Sequence, residues 1–249
     1  MFEGDHKKLL TKKTPFVLLV GGFLFVSSCN KSSKHDDGSA MLSEEETFTA
    51  TQRKCAADEI LQEQLKTDAA LRDRMNQIEE FTRNILDNPT NNRLLSSSII
   101  EIPVVVNVLY RTTAQNISAA QIQSQIDVLN KDFSATNADY NLTSTYSSLK
   151  SGDVNVRFVL DQVIRKSTNK KSWGLNDAMK KNSLGGINPT SPTTKLNLWV
   201  CNLSSGYLGY AQFPGGSSTT DGVVIDDNAL GTTGSAAAPF NNGRTATHE

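Results

Sequence analysis

Between Ile99 and Tyr110, seven of twelve residues are β-branched aliphatics: Ile99, Ile100, Ile102, Val104, Val105, Val106 and Val108. A β-branched run with so little alternation suits a strand covered on both faces, because both sets of side chains then need apolar neighbours. Such a strand must sit at the centre of a sheet, with a layer above and a layer below. Ser118–Phe133 offers one layer, since Ile122, Ile126, Leu129 and Phe133 recur at helical spacing and Ser118 is placed to cap the first turn. Val154–Leu160 and Leu196–Leu203 read as further strands, and Gly209–Phe213 and Gly222–Asp226 as short ones set between glycine-marked turns. The order of these segments predicts an α/β (α+β) domain with a mixed, twisted sheet and a backing helix. Lys166–Thr194 is rich in Asn, Ser, Lys and Gly and predicts a long surface loop.

The chain has 25 basic and 26 acidic residues, a formal net charge of −1. No global field draws it to nucleic acid, which is excluded as a partner on that ground. Its three cysteines, at 29, 55 and 201, are too few and too scattered for a disulfide framework. Near the N-terminus, Lys7, Lys8, Lys12 and Lys13 precede the apolar run Phe16–Val26. That layout is an export signal, and the run is shorter than the roughly 20 residues a membrane-spanning helix needs. It ends in Val26-Ser27-Ser28-Cys29, which resembles a bacterial lipobox and implies lipidation of Cys29 and attachment to the membrane through the lipid. The implied location is the bacterial cell envelope, as an outer-membrane lipoprotein or secreted after processing.

A polar tether follows at Asn30–Ser43. A short helix is expected around Asp58–Lys66, with a longer amphipathic one whose apolar face is Leu71, Met75, Ile78, Phe81 and Ile85. The Asn/Ser-rich stretch from Asn88 to Ser98 reads as an exposed linker, with Arg93 a candidate processing point. The organisation is therefore residues 1–29 as signal peptide, 30–97 as tether and helical segment, and 98–249 as the α/β domain.

The chain stops at Thr245-Ala246-Thr247-His248-Glu249, after Asn241, Asn242 and Gly243, which offer a helix start. A zinc-peptidase helix places His at i and i+4 on one face with Glu at i+1 beside the metal, and the i+4 position lies past Glu249. The segment Gly243–Glu249 resembles the opening of the long motif H-E-x-x-H-x-x-G-x-x-H of the pappalysin family of metzincin metallopeptidases. Leu196–Leu203, Leu208–Gly216 and Asp221–Ile225 are similar to that family's strands before the zinc helix.

The resemblance implies that His248 is the first zinc-binding imidazole and that Glu249 is the general base. It implies protein or peptide substrates, with Gly209, Tyr210, Ala211, Gln212 and Phe213 forming the cleft edge to which an extended substrate adds. It also implies that Cys55, in Arg53-Lys54-Cys55-Ala56, is a latency switch whose thiolate takes zinc's open position, which makes residues 30–97 a pro-segment. The remaining histidines, the methionine turn and the C-terminal subdomain are expected to be absent, leaving a truncated precursor that is inactive as written.

Asp226 and Asp227 read as solvated turn residues rather than a calcium site, and Cys201 as a buried thiol. Asn116, Asn141 and Asn202 match a glycosylation pattern that carries little weight in a bacterial envelope protein. Two other readings compete: a non-enzymatic envelope lipoprotein that binds a partner, and a peptidase inhibitor.

Overall fold

The structure, a computed structural model, describes residues 53–88, 98–142 and 144–249. The lipobox with Cys29, the tether to Ser43 and the processing candidate Arg93 lie outside the described residues.

The β-branched run forms β2 (Ile100–Tyr110), flanked by β3 (Val156–Ser167) and β4 (Leu196–Cys201), both parallel to it. Beyond β4 lie β6 (Val223–Asp226), parallel, and then β5 (Tyr207–Ala211), antiparallel to β6. A two-residue strand, β1 (Lys54–Cys55), runs parallel to β5 and closes the six-stranded order β1-β5-β6-β4-β2-β3. Pro103 in β2 faces only β3, because pairing with β4 begins at Val104 and a register shift follows at Val104/Val105. The missing N–H therefore falls where the strand needs it least.

Alternation along the strands sends side chains into two cores. Val104, Val106, Val108, Leu198, Val200 and Ile225 pack with Ile122, Ile126 and Leu129 of α3 (Ala119–Phe133). Leu109, Trp199, Cys201, Tyr210 and Val224 belong to the second core. The cap is formed as expected: the Ser118 hydroxyl accepts from the Gln121 N–H at 3.1 Å. Ser118→Ala is expected to cost about 1 kcal/mol of stability in urea denaturation, and an unchanged midpoint would contradict the capping role.

The second core overturns the surface-loop expectation for Lys166–Thr194. β3 extends to Ser167, and Trp173, Ala178, Met179, Lys180 and Ile187 are all buried. This segment is the sheet's second covering layer. Gly186 permits the tight packing, since a Cβ there would lie 2.2 Å from the Met179 carbonyl oxygen. Lys180 is buried with its charge answered: Nζ donates to the Thr220 carbonyl at 2.6 Å and lies 3.0 Å from Asp177 Oδ1.

The segment before β2 forms α1 (Ala57–Thr67) and α2 (Leu71–Asp87). The expected face of α2 is buried only at its start. Leu71 is covered, whereas Ile78 and Phe81 are exposed among the described residues.

Candidate metal centre

The site assembles where α3 holds the end of the chain against β5. Gln125, buried on α3, donates through Nε2 to the Gly243 carbonyl at 2.9 Å. Gly243 has a left-handed backbone (φ 70°) and opens α4 (Arg244–His248). Asp132, also on α3, accepts from the Thr247 hydroxyl at 2.7 Å and lies 3.1 Å from Arg244 Nε. Two polar anchors from one helix thus fix a helix too short to be stable alone.

Cys55 reaches the same point from β1. That strand is held to β5 by Lys54 N–H donating to the Gly206 carbonyl at 3.2 Å and Ala56 N–H donating to the Gly209 carbonyl at 3.0 Å. The Cys55 thiol donates to Glu249 Oε2 at 3.1 Å, and the Ala57 N–H donates to Sγ at 3.3 Å. Gly209 leaves room for this meeting, because a Cβ would come within 3.2 Å of Glu249 Cγ and 2.7 Å of the Val224 carbonyl. Ligand-capable atoms of Cys55, His248 and Glu249 all lie within 4.8 Å of one another.

Electrostatics mark the place. Burial pushes the Cys55 thiol up to about 11, against the pull of the Ala57 N–H, and Glu249 adds to the rise. Burial also raises Glu249, opposed by the Cys55 hydrogen bond and the nearby His248. Glu249 Oε1 is buried without a hydrogen-bond partner, a cost a native fold accepts where a cation or substrate completes the site. The imidazole and thiol, with that orphaned carboxylate oxygen beside them, fit a zinc ion held by His248 and Cys55.

A cavity of about 310 Å³ opens here, lined by Cys55, Ala211, Gln212, Phe213, His248 and Glu249 among others. Three of the five expected cleft-edge residues therefore face it. Tyr210 turns the other way: it is fully buried in the second core and its hydroxyl donates to Asp177 Oδ1 at 2.9 Å. Gly209 contributes backbone, and its edge is paired with β1 in this structure.

The expectation for Asp226 and Asp227 is corrected: they are 4% and 8% exposed, not solvated. Asp226 Oδ2 lies 3.0 Å from Arg53 Nη2 and accepts from the Leu203 N–H at 3.3 Å. The pairing was invisible in sequence because Arg53 comes from the far side of the chain, two residues before Cys55. Cys201 is fully buried, as expected.

No family model matches the chain. It is 32% identical over 164 residues to an extracellular metalloprotease of Verticillium alfalfae, covering 60% of this chain and 50% of that protein. It is 30% identical over 158 residues to an extracellular metalloprotease of Arthroderma otae, covering 60% and 49%. The chain thus spans about half the length of the curated relatives it matches. Among solved structures, Tannerella forsythia mature mirolysin in complex with a cleaved peptide matches with a TM-score of 0.59 and 45% identity, over 61% of this chain and 62% of that one. A mutant of Tannerella forsythia promirolysin matches with a TM-score of 0.66 and 38% identity, over 79% and 66%. The chain shares the mixed α/β fold of promirolysin, and its relatives and structural neighbours are metalloproteases.

Proposed function

We propose that this chain is the N-terminal part of a zinc metalloendopeptidase precursor of the pappalysin type, exported as a lipoprotein through Cys29 and kept latent by Cys55. The observation that carries the reading is the convergence of Cys55, His248 and Glu249 on one point beside the β5 edge. The coverage by the structural neighbours supports the division into pro-segment and catalytic part. Mature mirolysin matches 61% of the chain, the share that residues 98–249 make up, whereas promirolysin matches 79%.

His248 would hold the metal together with ligands contributed by the rest of the protein, and Cys55 would hold it in the latent state. When bound, zinc lowers the pKa of a coordinated water and polarises a scissile carbonyl. Glu249 would serve as the general base, its carboxylate accepting a proton at the site and returning it to the leaving amine. Burial shifts its carboxyl upward, the direction that strengthens a carboxylate as a base. The peptide substrate would lie along β5 in place of β1, hydrogen bonding by backbone, with Ala211, Gln212 and Phe213 at its side. Substrates are proteins or peptides.

The test is peptide hydrolysis by the whole, processed protein. A zinc chelator is expected to abolish hydrolysis and added zinc to restore it, whereas turnover indifferent to chelation would refute the reading.

A further inference from the structure

The chain between β5 and β6 carries Gln212, Phe213 and Pro214 of the cavity wall. Gln212 is set by its own loop: Oε1 accepts from the Thr220 hydroxyl at 2.6 Å, and Nε2 donates to the Ser217 carbonyl at 3.0 Å. Gly216 makes the room, since a Cβ there would lie 2.5 Å from the Gln212 amide carbon. Two hydrogen bonds reach residues 212–221 from the helices before β2: Gln64 Nε2 donates to Gln212 Oε1 at 3.4 Å, and Arg74 Nε to the Gly215 carbonyl at 2.6 Å. Both depart with the pro-segment on the proposed reading. Among the described residues, the other hydrogen bond that holds this loop from outside the hairpin comes from Lys180, whose Nζ donates to the Thr220 carbonyl at 2.6 Å.

Lys180 is an expensive residue to place there. It is 1% exposed, and burial pulls its ammonium pKa down while the carboxylates of Asp177 and Asp221 oppose that pull. Asp177 Oδ1, 3.0 Å from Nζ, also accepts from the Tyr210 hydroxyl at 2.9 Å. Nζ stands 5.0 Å from the centre of the Tyr210 ring and 5.5 Å from that of Trp199. Asp177 has a left-handed backbone (φ 55°), which in a non-glycine residue its surroundings must hold. A buried ion pair is weak evidence for stability, since well-packed apolar side chains of similar volume often do as well. What this pair adds is a fixed point: Tyr210 of β5 and Thr220 of the loop are both tied to it.

We propose that Lys180 is a positioning residue for the cleft edge: from the second core it fixes the loop that carries Gln212 and Phe213, so that this wall stays formed when the pro-segment leaves. The link runs from Nζ to the Thr220 carbonyl, and from the Thr220 hydroxyl to the Gln212 amide in the cavity wall. The role in substrate binding rests on the proposed function. A wall ordered in advance spares the substrate the entropy of ordering it, which strengthens binding without altering the chemical step.

The grip is tested on this chain without metal or turnover. Arg74→Ala removes the hold from α2, and in that background Lys180→Met keeps the stem of the side chain while removing its ammonium. Amide hydrogen exchange over residues 212–221 is expected to speed about tenfold in Lys180→Met while β2 keeps its protection. In the processed whole protein, Lys180→Met should raise KM for an extended peptide about tenfold with kcat within about twofold, as lost binding rather than lost chemistry requires. Thr220→Val, which frees Gln212 without touching the buried pair, should give about threefold in both measurements and decides where Lys180→Met does not fold. Parent values of loop exchange or KM, returned by a folded Lys180→Met or by Thr220→Val, overturn the inference. So does exchange that speeds equally in β2, or a fall in kcat at unchanged KM. A parent whole protein with no peptidase activity refutes the proposed function, while exchange on this chain still decides the grip on the loop.

Discussion

Glu249→Gln in the whole, processed protein is expected to lower kcat by about 10²- to 10⁴-fold, the usual contribution of a positioned general base. The substitution keeps the side chain's size and its ability to accept from Cys55 while removing its capacity to take a proton. Glu249 is well placed to show this cleanly. Its backbone N–H donates to the Thr245 carbonyl at 3.0 Å, so the residue is tied to the end of α4 as its C-cap. On the proposed reading metal content should be unchanged, because His248 holds the metal and Glu249 does not. A loss of less than about tenfold with full metal content would remove Glu249 from the role.

Cys55→Ala in the unprocessed whole protein is expected to raise peptidase activity by about 10²-fold. A tethered ligand at an effective concentration of millimolar order, with an intrinsic affinity near 10 μM, suppresses a site by about that factor. The thiol sits 3.1 Å from Glu249, so its removal also frees that carboxylate. β1 itself should persist, since its two backbone hydrogen bonds and the Arg53–Asp226 pair do not involve the cysteine side chain. Activity should therefore rise without the strand being released, and partial inhibition by the retained strand would keep the variant below the processed enzyme. An activity no higher than that of the parent precursor would place latency elsewhere.

The parts of the fold legible in sequence are those fixed by local periodicity. The β-branched run of β2 and the helical spacing of Ile122, Ile126 and Leu129 each needed only neighbours within a turn or two, and both elements formed with the expected cap. What escaped was long-range. β1 is two residues long and has no pattern of its own; it exists because β5 offers an edge. Trp173 and Met179 are single apolar residues in a polar stretch, and their burial follows from the sheet face that needed covering. Asp226 and Asp227 looked like turn residues because the cation that answers them lies in a different part of the chain. The α2 stripe shows the converse: a helical pattern was correct, yet Ile78 and Phe81 find no cover among the described residues.

The candidate site was partly legible. His248, Glu249 and Cys55 come together as the family resemblance implies. Arg53 and its acidic partners, which lock the same strand, were not foreseen. α3 was expected as the backing helix, but its second task was not: Gln125 and Asp132 carry the start of α4 to the edge of the sheet. Buried Gln and Asp on an otherwise apolar helix face were the available signal.

Cobalt substitution in the unprocessed whole protein tests the centre most directly. Cys201 is fully buried in the second core, which leaves Cys55 as the thiol positioned beside His248 and Glu249. The parent precursor should show a thiolate-to-cobalt charge-transfer band in the near ultraviolet that disappears in Cys55→Ser. A cobalt-loaded precursor whose spectrum lacks the band, or keeps it unchanged in Cys55→Ser, would contradict the account.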